Sequence, residues 1–444
     1  MLFNSYAFFA LLMFAFPLYY LLNAKGRYIY LLMCGAIFFG SFLHLIIFLF
    51  SVIGNAFGAL ILQKLRTEEK SPKYFFYLLV LLNILYLSYF KYLFTGLMPL
   101  AISFYTFEQI TFLSYISFSE KSKKSPFSLR DYLLFIAFFP RLLAGPIYYY
   151  EEYKDKLQRM LTLTIPWEDI GRGFAIFSLG LFKKVICADR MALIVDPFYV
   201  NPEIFSTVDT WFVTLAYSLQ IYFDFSAYSE MALGVGMMLG VTLPLNFNSP
   251  YKATSIIDFW TRWHMTLSRF IKDYVYIPLG GNESNKTRNI LLTMSIAGLW
   301  HGSSLNFLAW GGLHGLLIGS NHILRRYCSS FTIPSSLKVL TVFILINTTW
   351  ILFRAPSFKN AYLVFQQYVG FSSVTGFHFS KWDVIITLFF LAGIFTLPNI
   401  NDLFFKGHYI RFKESILWGA LCLFSFFYAY TNLKHETPFI YFNF

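Results

Sequence analysis

The chain has 444 residues, of which 57% are hydrophobic and 13% charged, and its formal net charge is +12. A soluble domain carries roughly a quarter charged residues, so this composition excludes a water-soluble enzyme and makes lipid the natural solvent. The positive excess suits cytoplasmic loops of a membrane protein or a nucleotide-bearing substrate, and nothing in the chain resembles a nucleic-acid module.

The first apolar stretch, 6–22, lacks a basic leader and a small-residue cleavage site, and reads as a membrane span. Residues 28–63 contain no Lys, Arg, Asp or Glu. As one helix they would reach roughly 50 Å, against a hydrocarbon core of about 30 Å, so a hairpin turning near Gly40 and Ser41 is predicted. A second pair follows at 74–94 and 99–117. Basic loops close these elements at Lys25 and Arg27, at 64–73 and at 120–130, all on one side if both hairpins form. That side is then cytoplasmic.

Residues 131–150 carry Pro140, Gly145 and Pro146 inside an apolar run. Such breakers predict a re-entrant or broken segment, tolerated in lipid only where protein or water surrounds it. An amphipathic interfacial stretch, 151–169, comes next. Further spans are predicted near 171–187, 208–223, 227–243, 290–302, 305–323, 337–353, 383–399 and 414–431. The expectation is an all-α, polytopic membrane protein of about 11 to 12 transmembrane helices, with re-entrant and interfacial helices besides. It forms a single membrane-embedded domain over 1–444: N-terminal helices 1–130, a catalytic core 131–325 and C-terminal helices 326–444. Cys34, Cys187, Cys328 and Cys422 stand far apart, so neither a disulfide nor a thiolate metal site is expected. No paired-histidine spacing suggests a metal either.

Polar residues inside apolar runs mark candidate chemistry. Residues 255–277, SIIDFWTRWHMTLSRFIKDYVYI, open on an S-x-x-D helix start. Helical spacing puts Trp260, His264, Leu267 and Ile271 on one face, and pairs Asp258 with Arg262 and Arg269 with Asp273. This helix is predicted to lie along an interface or in a water-filled vestibule. His301 follows Arg288 by 13 residues, hence lies ~20 Å deeper along a helix. At that depth neutral imidazole is favoured, and Gly298 and Gly302 leave room for a ligand or for close helix approach. From depth alone His301 reads equally as a functional base or a hydrogen-bonded core residue; His264 alone reads first as structural, and so do His314 and His322. Asp224, between Phe223 and Phe225, needs a partner or a water-lined wall.

The run YFDFSAYSEMALGVGMMLG, the pieces LPLNFNSPY, WTRWH, YIPLGGN and GLWHGSS, the opening MLFNSYAFF and the ending PFIYFNF together resemble the membrane-bound O-acyltransferase family. The branch resembled is that of alginate O-acetyltransferases and the membrane subunits of peptidoglycan O-acetylation. Arg141 departs from it, standing where that branch more often has another polar residue or His. The resemblance implies a ring of helices around a thin central region with a funnel. It implies His301 and His264 as catalytic, with Trp260, Arg262, Trp263, Asp224, Asn246, Ser268 and Trp300 as candidate substrate or donor contacts, and no metal. It further implies acetyl-CoA as acyl donor with no tightly bound cofactor, membrane lipid around the chain, a periplasmic SGNH-type acetyltransferase partner, and a place in the bacterial cytoplasmic (inner) membrane. The function expected is transfer of an acetyl group across the membrane for O-acetylation of peptidoglycan or an alginate-type polysaccharide. D-alanyl transfer to teichoic acid, or transport of an acyl donor without catalysis, are the alternatives.

Overall fold

The computed structural model describes residues 2–94, 98–124, 127–142, 145–162, 164–327, 333–406, 415–433, 437, 439 and 440. Ala144, Cys328, His408, His435 and most of the ending 438–444 lie outside the described residues. Among those described there is no strand, and the chain forms two compact units. One comprises Met1–Phe177 and Tyr228–Pro244, the other Ser178–Ala227 and Leu245–Phe444. These limits differ from those expected at 130 and 325.

The first unit holds α1 (Tyr6–Leu21), α2 (Ala24–Phe38), α3 (Phe42–Thr67), α4 (Lys73–Ser88), α5 (Ile102–Phe118), α6 (Glu120–Lys124), α7 (Leu129–Ile136), α8 (Phe139–Leu142) and α9 (Tyr150–Thr162). The predicted hairpin between α2 and α3 turns at Gly40, whose φ of +64° is left-handed, a conformation that glycine adopts without cost. α3 is apolar outward and polar inward. Phe42, Phe50, Ile53 and Phe57 are exposed, while Ser51 and Asn55 are buried. Asn55 and Asn83 exchange amide hydrogen bonds of 2.7 and 3.1 Å, and Asn55 and Ser51 both donate to Gln109 Oε1 at 3.0 and 2.9 Å. Lipid outside and hydrogen-bonded polar groups inside is what a bilayer imposes. Breakers do interrupt 131–150, where α7 and α8 are short and Arg141 is buried. Its guanidinium pairs with Glu108 at 2.7 Å and lies over the rings of Phe135 and Tyr153.

α10 (Trp167–Phe182) leads into the second unit and continues as a wider π turn, Lys183–Ala188. The unit then holds α11 (Asp189–Val200), most of α12 (Thr207–Met238), α13 (Ile256–Trp260), α14 (Met265–Ile271), α15 (Lys286–His301), α16 (Leu305–Tyr327), α17 (Ser335–Arg354), α18 (Phe358–Tyr368), α19 (Lys381–Thr396) and α20 (Ile416–Thr431). Two predicted spans, 208–223 and 227–243, are one 32-residue helix, α12. Asp224, expected to need a partner or a water-lined wall, lies within it. Because Asp224 is neutralised by Lys184 at 2.6 Å, the helix passes through it. α11 and α18 were not anticipated.

Phe42–Thr67, Lys73–Leu93, Ser335–Arg354 and Lys381–Phe405 are long and apolar enough to cross a membrane by length and composition; Tyr6–Leu21 and Ile416–Thr431 are shorter apolar helices. The protein is an all-α, polytopic membrane protein. α15 and α16 pack closely through glycine. A Cβ on Gly298 would strike the Phe307 carbonyl, and one on Gly311 the Met294 carbonyl. Close helix approach, not ligand space, is therefore what Gly298 provides, and the Phe307 ring occupies the space beside Gly302. Lys286 Nζ lies 3.4 Å from His322 Nδ1, and Asn306 donates to the Ala355 carbonyl at 2.8 Å. α15, α16 and α17 thus alternate in direction, with Lys286, Arg288, Arg325 and Lys338 towards one end and His301 at the other.

Candidate active site

Ser255 starts α13 by accepting from Asp258 N at 3.1 Å. The helix lasts five residues and then unwinds. His264 has φ +44° and ψ +50°, left-handed values uncommon for any residue but glycine. The single helix predicted over 255–277 is therefore two, and Trp260 and His264 do not share one helical face. Asp258 still pairs with Arg262 at 2.7 Å, and Arg269 with Asp273 at 3.8 Å.

Asn246 holds the turn. Its carbonyl accepts from Met265 N at 2.9 Å, and its Oδ1 accepts from Thr266 N at 3.3 Å and Thr266 Oγ1 at 2.9 Å. The same Oδ1 lies 3.2 Å from His264 Nδ1. A backbone N–H can only donate, so Thr266 fixes which amide atom is oxygen. His264 Nδ1 must then carry the proton and donate, which leaves the lone pair on Nε2. The imidazole is 1% exposed, with the Phe225 ring edge-on at 4.6 Å.

His301 ends α15, 5% exposed. Trp300, Phe353 and Trp310 surround its ring at 4.6, 5.0 and 5.3 Å between centres. The Trp300 indole also stands 6.1 Å from His264. Both histidines therefore stand within ring-contact range of one tryptophan.

The other sequence candidates separate. Asn246 and Trp300 join the two histidines. Trp260 donates through Nε1 to His314 Nδ1 at 3.3 Å, and His314 Nε2 lies 3.1 Å from Thr349 Oγ1; both nitrogens of His314 are engaged within the protein. Trp263 is core, packed on Phe247, Trp350 and Phe259 at 5.0, 5.1 and 5.6 Å. Arg262 is held by Asp258 and Ser268 by the Trp263 carbonyl at 3.3 Å. Asp224 lines a cavity of about 440 Å³ with Lys184, Asp189, Gln220 and Arg354. The sequence reading missed Lys184, Gln220 and Arg354. The need of Asp224 for a partner was the available signal for Lys184; Gln220 and Arg354 carried none. Among the described residues no three His, Cys, Asp or Glu side chains gather as a metal site.

The sequence profile of the membrane-bound O-acyltransferase family matches residues 31–365. The chain is 40% identical over 342 residues to a peptidoglycan O-acetyltransferase of Helicobacter pylori, covering 70% of this chain and 64% of that protein. It is 32% identical over 402 residues to a probable alginate O-acetylase of Pseudomonas aeruginosa, covering 84% and 76%. Similarity extends, at 28% over 205 residues, to a teichoic acid D-alanyltransferase of Streptococcus thermophilus, covering 43% and 49%. The chain thus spans about two thirds to three quarters of the length of the first two relatives. A family match across three quarters of its residues, over helices that bring two histidines to one tryptophan, places the chain in the membrane-bound O-acyltransferase family.

Proposed function

We propose that the chain transfers an acetyl group from cytoplasmic acetyl-CoA across the inner membrane for O-acetylation of a cell-envelope polysaccharide, with a periplasmic SGNH-type acetyltransferase as partner. The observation that carries this reading is that His264 and His301 both stand against the Trp300 indole, at 6.1 and 4.6 Å between ring centres. Lys286, Arg288, Arg325 and Lys338 lie towards the far end of the same helices and give the phosphates of the donor their counter-charges. The thioester then reaches the aromatic-walled His301. His301 takes the proton of an incoming hydroxyl, whose oxygen attacks the thioester carbonyl, and the proton returns to the leaving thiolate. His264, with its lone pair on Nε2, orients the donor by accepting a hydrogen bond. Relatives named for acetylation of peptidoglycan and alginate agree with this substrate class.

The test is His301→Ala in proteoliposomes with labelled acetyl-CoA, expression and folding verified. Loss of general-base action should slow acetyl transfer by about 10²–10⁴-fold. Undiminished transfer would falsify the assignment.

A further inference from the structure

Within the second unit, the segment holding Thr437, Phe439 and Ile440 grips α12 at two successive residues, Asp224 and Phe225. Asp224 Oδ2 accepts from Ile440 N at 2.8 Å, and the Phe439 ring packs on Phe225 at 5.3 Å between centres. Successive helical residues point about 100° apart, so the segment engages two neighbouring faces of the helix. Thr437 Oγ1 adds a third tie, donating to Asp189 Oδ2 at 2.8 Å. Both carboxylates lean on one cation: Lys184 Nζ lies 2.6 Å from Asp224 Oδ1 and 2.8 Å from Asp189 Oδ1. Lys184 and Asp224 are 3% and 2% exposed. Buried ion pairs add little net stability, so stability does not account for this cluster. Its second carboxylate oxygens fix the register of one short segment.

Phe225 carries that register to His264. Its ring stands 4.6 Å from the imidazole, edge-on at 88°, and 4.9 Å from Phe247. Phe225 is fully buried, and Phe439 and His264 are each 1% exposed. The hydrogen bond to Asn246 fixes where His264 Nδ1 points. The outer torsion of a histidine is broad, so the plane of its ring is set by what packs against it. Close-packed interiors transmit small displacements, so a Phe225 ring without Phe439 behind it no longer holds that plane.

We propose that Phe439 is a positioning residue for His264: held by Asp189 and Asp224, its segment backs Phe225 and thereby keeps the imidazole in the plane and tautomer that orient the acyl donor. The role of His264 rests on the acyltransferase reading; the positioning of its ring does not. Phe439→Leu removes the aromatic ring but fills most of its volume. Thr437→Val deletes one donor to the cluster and leaves the ion pairs in place.

The experiment uses the full chain in proteoliposomes, with labelled acetyl-CoA for rates and isotope-labelled histidine for solid-state NMR. The His264 signals are those lost in His264→Gln. Phe439→Leu should lower kcat by about tenfold and leave KM for acetyl-CoA within about twofold of the parent. The His264 nitrogens, one protonated and one not in the parent, should show a second tautomer. Thr437→Val should move rate and signals in the same direction. In the His264→Gln background Phe439→Leu should cost nothing further, since residues that act through one another are not additive. Parental rates and signals in both variants would overturn the proposal, as would a further loss of rate without His264, or collapse of the fold in both variants. If His264→Gln alone transfers acetyl at the parental rate, the role given to His264 fails, and a His264 signal that still moves in Phe439→Leu upholds the positioning of the ring.

Discussion

A left-handed residue other than glycine costs on the order of 1–2 kcal/mol, and at His264 that cost is offset by Asn246, which ties down Met265, Thr266 and the imidazole together. Asn246 thereby decides which ring nitrogen bears the proton. Asn246→Leu keeps approximate volume and removes the acceptor. Acetyl transfer should fall by about 100-fold, as for a misplaced catalytic group, with a modest loss in thermal stability from the lost hydrogen bonds. Transfer within a few-fold of the parent would show that the tautomer is irrelevant. Asn246 was visible in the sequence as a polar residue leading into the His264 segment. Its grip on the ring was not, because nothing in WTRWHMT announces a left-handed histidine. His301 was more legible, since its distance from Arg288 along an apolar run is plain arithmetic.

At the scale of elements, the length of apolar, charge-free runs located helices well, as in α3 and α17. It failed where tertiary contacts decide: the spans expected at 208–223 and 227–243 are one helix, α12, in which Asp224 pairs with Lys184, and the helix expected over 255–277 breaks at His264 in spite of a sound helical pattern. The start of that region also has a testable charge dependence. Burial works against ionisation of Asp258, but the Arg262 guanidinium at 2.7 Å and the Thr254 N–H at 3.0 Å outweigh it and hold its carboxyl below the ordinary carboxylate range. A carboxyl whose folded pKa is depressed contributes stability above its unfolded value near 4, and that contribution is lost as pH falls through the folded value. The melting temperature of Asp258→Asn should therefore lie below that of the parent at pH 7, and the two should converge below about pH 4. A gap that stays constant from pH 7 to pH 3 would assign the stabilisation to something other than this ionisation.

For the whole molecule, the net charge of +12 acts as an orientation signal, because it is spread unevenly along the helices. In α15–α17, Lys286, Arg288, Arg325 and Lys338 fall towards the end remote from His301. The N-terminal basic loops were assigned to the cytoplasm by hairpin counting, but α15–α17 need no such count, since their alternating direction follows from contacts. Basic ends face the cytoplasm, so Lys338 should be inside and Ser303, beside His301, should open outwards. Arg354 lies at the His301 end yet does not oppose this, since Asp196 pairs with it at 2.7 Å. In intact cells a membrane-impermeant maleimide should label Ser303→Cys and spare Lys338→Cys, and the pattern should invert in inside-out vesicles. The opposite pattern would put the proposed counter-charges on the outer face, away from a cytoplasmic donor, and would overturn the proposed direction of acetyl transfer.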